Sequence, residues 1–178
     1  VSTSDGAAGD EFGYSVALDG ETAVIGARFA TGAEGREGAA YVFTFGSGHI
    51  GSLWNELQKL IGSTTEDGDG NSSEFGASVA LDEQTILIGA PRADSRGGSA
   101  GAVHVFRFIP EEQDSQPWSK VQTMTGRDTS RGDRFGLAVA LSQDIALVSA
   151  PFDDITVEDE DEDEEVADDD ENPTYYLD

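Results

Sequence analysis

The residue types in this chain that could do chemistry are few. Asp67, Gly68, Asp69, Gly70 and Asn71 place side-chain oxygens at alternating positions, the spacing by which calcium loops wrap a hard cation. Asp67, Asp69 and Asn71 are the candidate metal ligands, and calcium is the candidate cofactor. The stretch departs from the helical calcium-loop template, because Ser72 stands where that template needs glycine and Ser78 where it needs a bidentate glutamate. A structural loop is the favoured reading. The run Gly13-Tyr14-Ser15-Val16-Ala17 echoes the sharp turn that exposes a nucleophilic serine, but it recurs as Gly76-Ala77-Ser78-Val79-Ala80. A catalytic serine should be unique and lie beside a histidine, so both serines are read as small residues packing between repeated sheets. The two histidines are His49, in a glycine-rich stretch, and His104, in an apolar run where it is expected to pack as an aromatic. The two histidines cannot supply a zinc site without partners, no cysteine exists to join them, and disulfides are excluded. No Gly-Lys-Ser/Thr phosphate cradle occurs. No catalytic residue is assigned, and a non-enzymatic protein is expected.

Charge narrows the partners. The chain has 178 residues, with 10 Lys and Arg against 36 Asp and Glu, a formal net charge of −26. All ten bases and 21 of the acids precede residue 153, giving that part −11; the last 26 residues carry −15. Phosphate backbones and anionic lipid surfaces need clustered Lys and Arg, so both are disfavoured as partners. No apolar run approaches the ~20 residues of a membrane-spanning helix. The length suits one domain. The sequence begins at Val1 rather than Met, which fits a processed or truncated piece from which an export signal could have been lost.

The elements that would position these residues come from a repeat. Asp10-Glu11-Phe12-Gly13-Tyr14-Ser15-Val16-Ala17-Leu18 aligns with Ser73-Glu74-Phe75-Gly76-Ala77-Ser78-Val79-Ala80-Leu81 and with Asp133-Arg134-Phe135-Gly136-Leu137-Ala138-Val139-Ala140-Leu141, at offsets of 63 and 60. A second run follows each at the same offsets: Ala23-Val24-Ile25-Gly26-Ala27, Ile86-Leu87-Ile88-Gly89-Ala90-Pro91 and Ala146-Leu147-Val148-Ser149-Ala150-Pro151. A third run, from Ala39 to Phe45 and from Ala102 to Phe108, recurs at 63, and a fourth begins at Trp54 and Trp118, offset 64. Period-two alternation in Tyr14, Val16 and Leu18 predicts strands, and Asp19-Gly20 predicts a tight hairpin, with Asp82-Glu83-Gln84 in that role in the second copy. The fourth run is ambiguous, since Trp54, Leu57, Leu60 and Ile61 have helix-like spacing; a strand is favoured because its second copy carries Val121, Thr123 and Thr125. Tyr41, Phe43, Phe45, Phe106 and Phe108 recur at the repeat offset, which favours core packing over a sugar-binding platform. A four-stranded sheet with two partly apolar faces cannot bury both alone. Stacking such sheets around an axis does bury them, so the expectation is all-β, with four-stranded antiparallel propeller blades.

Phe75-Gly76 followed by Gly89-Ala90-Pro91, with Phe12-Gly13 and Gly26-Ala27, and Phe135-Gly136 and Ala150-Pro151, resembles the FG-GAP repeat of integrin α-type propellers. The resemblance covers residues 5–151, and gives a domain of residues 1–152 with units starting near 10, 73 and 133. It implies a partial propeller of about 2.5 blades, where the family closes with about seven, and so a fragment of a longer protein or assembly. It further implies an extracellular setting, or the lumen of a membrane-bounded compartment, and a protein-interaction or structural module. An accessory propeller of a secreted or lumenal hydrolase or lyase, and a calcium-dependent adhesion protein, are the alternatives. The family's calcium loop lies between the Phe-Gly and Gly-Ala-Pro strands, where this chain has only Asp19-Gly20-Glu21, so that site is absent from these copies. Arg131-Gly132-Asp133 matches the tripeptide integrins recognise, but Gly132 and Asp133 align with Gly9 and Asp10, and turn structure accounts for them. The candidate binding loops, 29–38 and 92–101, are equivalent in consecutive units.

The end of the sequence is a different material. Residues 158–165 are eight consecutive acids, opening with Glu158 and closing with Glu165, and 168–171 add four more. Self-repulsion favours a solvated acidic insert over 153–174, with Tyr175-Tyr176-Leu177 in 175–178 as a resumed strand. A basic surface of a protein partner against Glu158 to Glu165 is the alternative fate of that charge.

Overall fold

The structure is a computed structural model that describes residues 1–31, 35–48, 51–62, 72–94, 98–110 and 116–153. Every regular element among them is a strand. In chain order they are β1 (Phe12–Asp19), β2 (Thr22–Ala27), β3 (Ala39–Gly48), β4 (Gly51–Leu60), β5 (Ser78–Asp82), β6 (Thr85–Ala90), β7 (Ala102–Phe108), β8 (Trp118–Met124), β9 (Val139–Ser142) and β10 (Ile145–Val148). They form two four-stranded antiparallel meanders, β1-β2-β3-β4 and β5-β6-β7-β8, and a hairpin of β9 and β10 that reproduces the first half of a third. Among the described residues the expected blades are therefore present, as two complete units and half of another.

The hairpins lie where the turn residues place them. Asp19 pairs with Thr22 and Asp82 with Thr85, each across a two-residue turn. Gly20, Glu83 and Gln143 take the positive-φ position in the three units, at φ 54, 48 and 53. The fourth run is a strand in both copies. Its misleading spacing has a local cause: Val42 pairs with Gln58 and Phe43 with Glu56, so Leu57 is an extra residue, a bulge. Trp54 faces one side of the sheet before it, and Leu57 and Leu60 pack on the other side at and after it. β8 repeats the bulge at Val121, between Val105–Gln122 and Phe106–Lys120.

The core lies between sheets rather than within one. Val24, Ala40, Val42 and Leu60 of the first sheet meet Val79, Ile86, Ile88, Phe106 and Trp118 of the second. Ala80, Leu87, Val103 and Val105 on the far side of the second sheet meet Val139, Leu141 and Val148 of the hairpin. Repeat-equivalent residues thus have opposite exposures. Val79 is 9% exposed because the first sheet covers it, whereas Val16, at the same repeat position, is 68% exposed. Covering a side chain of this size is worth about 1.5–3 kcal/mol, so each unit is stabilised largely by its neighbour.

Candidate interaction surface

The joints between units are built from a few polar groups set among small residues. In the first, the Ser15 hydroxyl donates to the Gly76 carbonyl at 2.8 Å; in the second, Ser78 donates to Gly136, also at 2.8 Å. That carbonyl rests on Gly26 in the first joint and on Gly89 in the second. A Cβ at Gly26 would overlap the Gly76 oxygen and sit 3.0 Å from its carbon; at Gly89 the carbon of Gly136 would be 3.1 Å away. The close approach requires glycine at both places. Gly76 and Gly136 sit at φ 89 and 90, a conformation that turns their carbonyls toward the preceding unit and suits glycine.

Two further clasps operate. The carboxylate of Asp19 accepts the backbone N–H of Glu83 at 2.7 Å, and Asp82 accepts that of Gln143. Gln58 on β4 makes a paired contact with β8: its Nε2 donates to the Trp118 carbonyl at 2.8 Å and its Oε1 accepts the Trp118 N–H at 2.9 Å. Sequence reasoning missed these roles. A signal existed for the aspartates alone, in the recurrence of Asp19 as Asp82 at the repeat offset.

The candidate loops are anchored at their roots. In the first, the Phe75 N–H and the Ser73 hydroxyl both donate to the Glu37 carbonyl. In the second, the Phe135 and Arg134 N–H groups donate to the carbonyls of Ala100 and Ser99. These roots are joint structure, and the tips, 32–34 and 95–97, lie outside the described residues. Beside them is an ionic cluster: Arg28 lies 2.7 Å from Glu11 and 3.7 Å from Glu74, with its guanidinium 3.9 Å over the Tyr14 ring, and Arg92 is 3.4 Å from Glu74. The Glu11 hydrogen bond raises the Arg28 pKa above its ordinary value.

The other sequence candidates are placed as follows. His104 is buried, its ring 5.3 Å from that of Phe75, and shares a hydrogen bond with Thr123 at 3.2 Å, as expected of a packed aromatic. Burial, with a smaller contribution from the Lys120 charge, lowers its pKa to about 4. Tyr41 and Phe43 are buried against Phe12, and Phe106 lies in the first joint, whereas Phe45 is partly exposed beside Trp54. The Tyr41 hydroxyl donates to Asp5 at 2.8 Å; burial first, then that carboxylate, raises its pKa, and the Lys59 hydrogen bond lowers that of Asp5. Asp133 is buried and accepts the Ser130 N–H in a turn, matching Asp10, which accepts that of Ala7. Ser15 and Ser78 lie between sheets, as expected, but as donors rather than fillers. Asp67, Asp69, Asn71, His49 and the whole acidic segment from 154 onward lie outside the described residues. Among the described residues no group of three or more His, Cys, Asp or Glu is placed to hold a metal.

Apolar surface remains at both ends of the stack. On the first unit Val16, Ala17, Leu18, Ala23, Ile25, Phe43 and Trp54 line a concavity; on the third, Ala140 and Leu147 line another. Leu147 is 68% exposed, like Val16.

Stacked four-stranded sheets with Phe-Gly turns seated on glycine define the class: blades of a partial β-propeller. Residues 1–43, 54–106 and 118–163 match the family described as FG-GAP repeat, well over half of the chain, and the protein belongs to that family. Among curated proteins no match is found.

Proposed function

We propose that this chain is a non-enzymatic FG-GAP propeller segment that serves as a protein-interaction and structural module within a larger protein or assembly. The observation that carries this reading is the pair of open end faces, whose apolar residues occupy repeat positions that are covered wherever a neighbouring unit is present. An exposed Val16 and Leu18 beside a buried Val79 mark a surface composed for contact. The setting suggested by the family is extracellular or lumenal. Partners are proteins, and the acidic run 158–165 suits a basic surface.

The test is to charge both faces, with Val16→Asp and Leu147→Asp, and to compare the native assembly with the variant. The expected result is an unchanged circular dichroism spectrum with loss of association in the source organism's extract, measured by sedimentation. An assembly that keeps its size with both faces charged overturns the interaction reading. Hydrolytic or lyase turnover by the purified 178-residue chain overturns the non-enzymatic one.

A further inference from the structure

At each joint, besides the loop-root carbonyls described above, the first two strands of the earlier unit offer three groups to the later one. They are a serine hydroxyl on the first strand (Ser15, Ser78), a glycine opposite it on the second (Gly26, Gly89), and a turn aspartate (Asp19, Asp82). The third unit has the same positions at the same register, and there they read Ala138, Ser149 and Ser142. None of the three is retained.

Its backward-facing parts are intact. Phe135 and Gly136 take the Phe-Gly seat, the Gln143 N–H meets Asp82, and Val139, Leu141 and Val148 fill the second joint. The loss is therefore directional. Ala138 has no hydroxyl to donate. Ser149 carries a Cβ at the place where a carbonyl lies against Gly26 and Gly89. Its Oγ is engaged within its own hairpin, accepting the Ala138 N–H at 2.9 Å. Ser142 is shorter than aspartate and neutral, so it supplies no carboxylate to an incoming turn N–H.

We infer that the forward face of the third unit is closed to a Phe-Gly unit. Neither another repeat nor the first unit of a second copy seats on it in the way the second and third units seat on their predecessors. This goes beyond the interaction reading, because it gives the stack a direction. The seat that stays open is the back of the first unit, where Phe12, Gly13 at φ 92, Val16, Leu18 and Ile25 reproduce the face buried on the second unit. The three side chains also keep the chain from joining head to tail with itself, a heterologous contact that would otherwise propagate.

Sedimentation velocity of the whole chain over a concentration series, in salt sufficient to screen its charge, tests this. The native chain is expected to show no association that Val16→Asp removes. The triple variant Ala138→Ser, Ser142→Asp, Ser149→Gly rebuilds the seat and should associate at least about ten-fold more tightly than the native chain. Adding Val16→Asp to the triple variant should abolish that gain without changing its fold. The converse change puts the third-unit residue into a working joint: Gly89→Ser should speed amide exchange at Gly136 and across Val139–Ser142 by about ten-fold or more. A native chain that joins through Val16 as tightly as the triple variant overturns the inference. So does a triple variant that gains nothing, or a Gly89→Ser chain whose third unit stays protected.

Discussion

Replacing Gln58 by leucine tests the joint geometry most directly, because the repeat supplies its own control. Gln58 is 8% exposed and satisfies both the N–H and the carbonyl of Trp118, at 2.9 and 2.8 Å, on the neighbouring sheet. Leucine keeps most of the volume and removes both bonds. Each orphaned backbone group then costs about 1–3 kcal/mol of desolvation, and the added apolar surface returns part of it, so the net loss should be about 2–4 kcal/mol. For a chain of this size that is roughly 4–16 °C in melting temperature. Gln122 occupies the same repeat position on β8, where it is exposed, and Gln122→Leu should stay within about 0.5 kcal/mol. Urea titration followed by circular dichroism and tryptophan fluorescence measures both variants, since Trp118 sits at the altered joint. Equal effects at the two positions, or a Gln58→Leu cost below about 1 kcal/mol, would refute the view that the two sheets are bolted through this residue.

Two other outcomes follow from the same structure. His104 is held neutral by burial, with a folded pKa of about 4 against an ordinary 6.5, so between these values the unfolded chain binds a proton that the folded chain refuses. Its contribution is complete above pH ~6.5 and is lost as pH falls toward ~4, a change of about 3 kcal/mol; His104→Phe should flatten that part of the stability profile, and a native-minus-variant difference that does not vary over the window refutes the assignment. Ser78→Ala should cost about 1 kcal/mol by leaving the Gly136 carbonyl without its donor, and a thermal melt indistinguishable from the native chain would show that the hydroxyl only fills space.

Most of the fold was legible in the sequence. Phe-Gly and Gly-Ala mark joints where backbone meets backbone, and only a few residues tolerate that closeness, so their spacing survives as a visible repeat. Strand alternation and paired aromatics were readable for a similar reason, since Phe43 and Phe106 answer the same packing demand. The clasps were not legible. Gln58 is one polar residue in a strand, and its partner is 60 residues away on another sheet, so nothing local distinguishes it from the exposed Gln122. Asp19 read as a turn former, which it is; its second task depends on where the next turn falls. The fourth strand was hard to read because the bulge at Leu57 shifts the alternation partway along.

That bulge has a consequence for how the protein behaves in a crowded solution. Among the described residues β4 and β8 are the edge strands of their sheets on the side away from β1 and β5, and an edge strand carries a row of backbone groups that a foreign strand could zip onto. The extra residue in each, Leu57 and Val121, kinks and overtwists the ribbon, so that a straight newcomer can match only a few rungs before the register fails. The flank of the stack formed by these strands thus resists lateral, amyloid-like growth blade by blade.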